Sequence, residues 1–107
     1  MKCQVSPNVE CAFKKRLDLV VQLIQKSTIE YHDIGVFGSY ARGEYKATSD
    51  IDICVIADKK PDRYTSGELR EEAELHNVDV VYVTQEYFQY SMEPFAIQIR
   101  KDYKSVL

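Results

Sequence analysis

Phe37-Gly38-Ser39-Tyr40-Ala41-Arg42-Gly43 and, after a short polar interval, Ser49-Asp50-Ile51-Asp52-Ile53-Cys54-Val55 are the two stretches whose reading decides the fold. The second opens the clearest strand pattern in the chain, Asp50 to Ala57, rich in Ile and Val. Residues i and i+2 of a strand face the same way, so Asp50 and Asp52 project together while Ile51, Ile53 and Val55 point into a core. Two adjacent carboxylates at the head of a buried strand repel unless a cation lies between them. Hard oxygen ligands so placed suit Mg²⁺, which binds one or two carboxylates and completes its shell with water and substrate phosphate.

The first stretch supplies a complementary feature. Ile34-Gly35-Val36-Phe37 reads as a short strand, and Ser39 to Gly43 as a short helix directly behind it. Such a junction presents backbone N–H groups at a helix N-terminus, a geometry that receives phosphate. Gly38 lets the backbone approach a ligand closely, Ser39 adds a hydroxyl, and Arg42 a fixed charge one turn on. Taken singly, each feature has a plainer reading: a turn, a pair of loop acids, or an arginine paired with Glu44. Together they favour a phosphate and metal site.

Working outward, Glu44 to Ser49 is a polar loop, and Asp58 to Ser66, with Pro61 inside it and Gly67 after it, is a second. The spacing then predicts a helix over Glu68 to Asn77 with Leu69, Ala73 and His76 inward, and a strand over Val78 to Val83. If that strand neighbours the first, Asp79 lands beside Asp50 and Asp52. Three carboxylates can hold two metal ions about 3.5–4 Å apart, the arrangement that clamps both oxygens of a phosphoryl transfer. Thr84 can cap a short helix, and Pro94 can start a last one that ends near Lys104. Towards the N-terminus, Ser6-Pro7 is a helix-opening pair. Val9, Phe13, Leu17, Val20 and Ile24 follow at helical spacing, predicting a helix from Pro7 to Lys26. The resulting order predicts an α+β fold, a small mixed β-sheet covered by helices in one domain spanning residues 1–107.

Composition narrows the function classes. The chain has 107 residues, enough for one core, and its apolar fraction of 45% is that of a globular protein. A formal charge of −3 argues against a long nucleic acid as partner, since counterion release needs clustered cations. Lys14-Lys15-Arg16 reads as a solvated helix face. Apolar runs are too short for a membrane span, and Met1 to Val5 lacks the apolar stretch of a secretory signal. Cys3, Cys11 and Cys54 are odd in number and scattered, which speaks against disulfides and structural zinc. His32 and His76 share no ligand spacing with them. A cytoplasmic location is the expectation. Tyr87, Phe88, Tyr90, Phe95 and Tyr103 divide between core packing and a partner surface, and the sequence leaves that division open.

The pattern Gly38-Ser39, ten residues, then Asp50-x-Asp52, filled in as Gly-Ser-Tyr-Ala-Arg-Gly and Ser-Asp-Ile-Asp, resembles the signature of the DNA polymerase β-like nucleotidyltransferase superfamily. Its length and the Ala-Arg-Gly variant are most similar to the minimal nucleotidyltransferase (MNT) branch, and the resemblance runs from about Ile34 to Val83. It implies that Asp50 and Asp52 are magnesium ligands and that Asp79 is the third carboxylate, orienting or deprotonating the acceptor hydroxyl. It also implies that Gly38 and Ser39 hold the triphosphate, with Arg42 and Ser49 of the motif among the nucleotide-binding residues, and that two Mg²⁺ ions serve as cofactor. The implied reaction moves a nucleoside monophosphate, AMP with ATP as the favoured donor, onto a hydroxyl. Members of this size resemble antitoxins paired with a helical HEPN ribonuclease, which they AMPylate on tyrosine, so a HEPN-type partner and a homo- or hetero-oligomer are in view. Two rivals stand beside this reading: neutralisation of a partner by contact alone, and transfer to a small molecule.

Overall fold

The structure is a computed structural model that describes residues 7–107. In chain order it contains α1 (Pro7–Lys26), β1 (Asp33–Phe37), α2 (Gly38–Arg42), β2 (Ile51–Ala57), α3 (Arg63–Leu75), β3 (Val78–Thr84), α4 (Gln85–Tyr90), α5 (Pro94–Asp102) and β4 (Lys104–Ser105). The expected Ser6 cap of α1 lies outside the described residues.

The strands form one sheet in the order β3-β2-β1-β4. β1 runs antiparallel to β2 and β4, whereas β2 and β3 are parallel and joined by α3. The expected α+β architecture with a mixed sheet is therefore present. Both faces of β2 are covered, which explains its nearly continuous apolar sequence. Ile51, Ile53 and Val55 are fully buried against Phe13, Leu17, Val20 and Ile24 of α1 and Ala73 of α3. Cys54 and Ile56 face the opposite side, against Phe37, Val83 and Ile99, with Tyr87, Phe88 and Tyr103 packed around them. Each such buried aliphatic side chain contributes about 1.5–3 kcal/mol, so Ile53→Ala, at the centre of the sheet, would cost about 2–5 kcal/mol. Burial pushes the Cys54 thiol up to about 12, which makes it an inert core residue. Cys11 is an exposed free thiol. No helix among the described residues is long and apolar enough to cross a membrane.

Several boundaries differ from the sequence reading. α3 starts at Arg63, not Glu68, because the Asp62 side chain accepts the Thr65 N–H at 2.7 Å and caps the helix. Gly67, read as a break, sits inside that helix with open space around it. The helix also ends at Leu75, with His76 as its C-cap and Asn77 beyond it at φ 57°. α5 ends at Asp102, and the chain continues into β4, which pairs Lys104 with Val36 and Ser105 with Gly35. The strand expected from Asp50 begins one residue later, at Ile51. Of the late aromatics, Tyr87, Phe88 and Tyr103 support the core, whereas Tyr90 (73% exposed) and Phe95 (47%) lie outside it.

Candidate functional site

The site lies where β1 ends and where β2 and β3 begin. Parallel pairing places Asp52 directly opposite Asp79. Both are in phase with the residues that face α4 and α5 (Cys54 and Ile56 on β2, Val81 and Val83 on β3), so the two acids stand side by side on that face. Asp50 is exposed, one residue ahead of β2. Asp52 is half-buried, and its carboxyl is held above the usual range. Burial is the largest cause, followed by the charges of Asp79 and Asp50, with Arg42 opposing them. The three acids named from the sequence thus form one electrostatic group.

The turn between β1 and α2 touches that group. Gly38 has φ +75°, a backbone conformation that side chains with a Cβ rarely adopt. A methyl group there would overlap the Asp52 carboxylate. Gly38 is thus required twice, by backbone conformation and by contact with an acid. The N-cap of α2, Phe37, has no hydrogen-bonding side chain to offer its N-terminal N–H groups. Ser39 follows, half-buried, and lines an open cleft of about 530 Å³ with Phe37, Gly38, Arg42, Asp52, Gln98, Lys101 and Asp102. A more enclosed cavity of about 450 Å³ lies at the opposite end of β1 and β2, near His32 and Asp58, and contains none of the three acids.

Arg42 and Ser49 occupy more structural positions than the motif suggests. The Arg42 guanidinium donates to Glu44 at 2.6 Å and to Asp102 at 2.6 Å, although it still borders the cleft. Ser49 Oγ accepts the Lys46 N–H at 2.9 Å and closes the loop before Asp50.

Asp102 is the residue that sequence reasoning missed. Its side chain is buried, and burial alone would raise its pKa. Hydrogen bonds from Gln98, the charge and hydrogen bond of Arg42, and the Gly38 N–H outweigh burial and hold it below the ordinary value. One buried carboxylate on α5 therefore ties together Arg42 and the glycine that touches Asp52. Its contact with Arg42 spans 60 positions of sequence, and no local pattern announces it.

The donor set suits a divalent cation completed by substrate. Among the described residues no three potential ligands are drawn around one point. One or two carboxylates completed by water and substrate phosphate are a donor set that such a cation accepts. A cation there would offset both the burial and the neighbouring acid charges that raise the pKa of Asp52.

Comparisons with known proteins bear on the family and the fold. Residues 13–107 match the family described as nucleotidyltransferase domain. A Methanocaldococcus jannaschii protein named "Putative protein adenylyltransferase MJ1215" is 43% identical over 60 residues, covering 55% of this chain and 70% of that protein. A chain from the crystal structure of a toxin–antitoxin with AMP-PNP is 25% identical, with a TM-score of 0.63 over 84% of this chain and 71% of its own. A chain from the complex of tri-AMPylated Shewanella oneidensis HEPN toxin with MNT antitoxin has a TM-score of 0.59 over 88% of this chain and 71% of its own. At 22% identity that likeness is one of fold.

Proposed function

The chain belongs to the nucleotidyltransferase domain family, and on that premise we propose that it transfers AMP from ATP, with Mg²⁺, to a tyrosine hydroxyl of a HEPN-type protein partner, as an antitoxin. The observation that supports this most is the direct contact between the Gly38 turn and Asp52, itself in register with Asp79. Phosphate-binding turn and metal-binding acids meet within one residue's reach, as transfer at a nucleotide phosphorus requires.

Asp50 and Asp52 would hold Mg²⁺, with Asp79 as the third acid. When bound, the metal would neutralise triphosphate charge and align the phosphates. The residues of the chain supply position and electrostatics, the main sources of acceleration in such transfers. Gly38 and Ser39 face the triphosphate, and Arg42 borders the same cleft. The acceptor oxygen attacks the α-phosphorus, the bond to pyrophosphate breaks, and the hydroxyl proton passes towards Asp79. Asp79 is exposed at the mouth of the acid group, where a hydroxyl from a docked protein can reach it.

A protein acceptor is supported by the relatives and by the surface. The M. jannaschii relative is named for protein adenylylation, and the neighbour at 25% identity comes from a toxin–antitoxin structure with AMP-PNP. Tyr90, Met92, Phe95 and Ile97 leave apolar area exposed around α4 and α5, the kind of surface enriched at protein interfaces. The test is intact-mass spectrometry of the purified partner after incubation with ATP and Mg²⁺. The wild type should add AMP, and the Asp50→Asn, Asp52→Asn, Asp79→Asn triple variant should co-purify with the partner without modifying it. An unmodified yet neutralised partner would favour action by contact alone, and labelling of a small molecule instead would overturn the protein acceptor.

A further inference from the structure

Arg16 belongs to the basic run Lys14-Lys15-Arg16, which reads as a solvated face, but the structure places it differently from its neighbours. Lys14 is exposed and pairs with Asp18 one turn on. Arg16 is half-buried and reaches across to two loops. Its Nε donates to the His76 carbonyl at 2.8 Å, and one terminal nitrogen donates to the Asn77 carbonyl at 3.1 Å and the Ser49 carbonyl at 3.4 Å.

These carbonyls sit at informative places. Ser49 immediately precedes Asp50. His76 and Asn77 form the turn after α3, two residues ahead of Asp79. The Asn77 carbonyl also accepts the Ile51 N–H at 3.2 Å, so it is shared between Arg16 and the first residue of β2. That shared acceptor joins the starts of β2 and β3, where Ile51 pairs with Val78 and, one step on, Asp52 with Asp79. The His76 and Asn77 carbonyls lie at the negative end of α3, which favours a cation there.

Arg16 is itself held in place. Its guanidinium carbon lies 4.2 Å from the centroid of the Phe13 ring, within cation–π range. Phe13 in turn stacks on Tyr40 of α2, with centroids 5.8 Å apart and planes 14° apart, and packs on Tyr45. One turn of α1 thereby braces both halves of the site, the acid-bearing loops through Arg16 and the α2 turn through Phe13.

We propose that Arg16 is a positioning residue that sets the separation of Asp50 from Asp79 and so the affinity of the acid group for its divalent cation. The proposal rests on the reading of those acids as a metal site. Only the planar guanidinium can satisfy three carbonyls at fixed angles. A lysine keeps the charge but donates from a single mobile nitrogen. Groups that orient metal ligands from behind typically change metal affinity by about 10–100-fold when removed.

The experiment measures Mn²⁺ binding, as a spectroscopic stand-in for Mg²⁺, by the electron paramagnetic resonance signal of the free ion. It uses the full chain as wild type, Arg16→Lys, Arg16→Met and Asp52→Asn. The expected result is saturable binding by the wild type, loss in Asp52→Asn, and a half-saturation raised about 10–100-fold in both Arg16 variants. All four proteins should still melt cooperatively. A purely structural role would lower Tm while leaving Mn²⁺ affinity unchanged in the folded protein, and that result would overturn the proposal. Should Arg16→Met fail to melt cooperatively, Arg16→Lys, which keeps charge and stem, decides. A wild type that binds no Mn²⁺ overturns the metal-site reading and this inference with it, whereas wild-type binding matched by Arg16→Lys overturns the inference alone.

Discussion

Replacing Gly38 with alanine separates the demands of folding from those of chemistry. Its φ of +75° disfavours any residue with a Cβ, at about 1–2 kcal/mol for the left-handed conformation. For a domain of this size each kcal/mol lowers Tm by about 4–8 °C, so a fall of roughly 4–16 °C is expected, and the protein stays folded at room temperature. The chemical cost is larger. The new methyl group would overlap Asp52 Oδ2 and stand 3.4 Å from its Cγ, so the carboxylate must swing away by roughly 1 Å, and misplacement of that size costs about 100-fold in rate. The assay pairs a thermal melt with AMP transfer measured well below Tm. Expected are a modest loss of stability and a rate loss near 100-fold that persists where the protein is fully folded. Transfer that falls only in proportion to the unfolded fraction would refute the claim that Gly38 keeps Asp52 in its working position.

Three further outcomes can be checked. Asp52 has a raised pKa in the folded, metal-free protein, so its contribution to stability is present below its unfolded pKa and is lost as pH rises through the folded one. Asp52→Asn should therefore raise the metal-free Tm at pH 7 yet change it little near about pH 3, and an Asn variant less stable than wild type at pH 7 would contradict the strain argument. Asp102 has the opposite sign: its lowered pKa stabilises the protein above the unfolded value and that contribution is lost on acidification. Asp102→Ala, which strands Gln98 and the Gly38 N–H, should cost about 1–3 kcal/mol at pH 7 in urea unfolding, and a neutral result would show that the buried carboxylate does not tie the turn to α5. Mg²⁺ with ATP at about 100 times Kd should stabilise the wild type by about 2.7 kcal/mol, and Asp50→Asn should blunt that rise in a calorimetric melt.

Much of this molecule is legible from local pattern because its strongest signals are periodic. The β2 run and the α1 stripe are long enough to state their own geometry, and the register of Asp52 with Asp79 follows once β2 and β3 are neighbours. What stays hidden depends on single hydrogen bonds or distant contacts. The start of α3 turns on one cap from Asp62, whereas Pro61 and Gly67 point to a loop. Gly67 is tolerated because a glycine inside a helix costs only about 1 kcal/mol. β4 is two residues long and shows no alternation to read. Arg16 looks like its lysine neighbours until the loops that it joins, 33 and 61 positions away, are folded against it. Asp102 likewise gives no local sign of its place beside Gly38 and Arg42. Arg42 is ambiguous in the sequence because its pairing with Glu44 is visible locally, and the structure has both that bond and the cleft position.

The central claim is that the acid group and the Gly38 turn move the α-phosphate with its nucleoside and release pyrophosphate. Parallel incubations of the wild type with α-labelled and γ-labelled ATP, Mg²⁺ and the purified HEPN-type partner test it directly, with Asp52→Asn as control. The α-label should enter the partner and the γ-label should appear in pyrophosphate, with transfer by Asp52→Asn lower by at least about 100-fold. Transfer of the γ-label to the partner, or α-label incorporation by Asp52→Asn at the wild-type rate, would contradict the account.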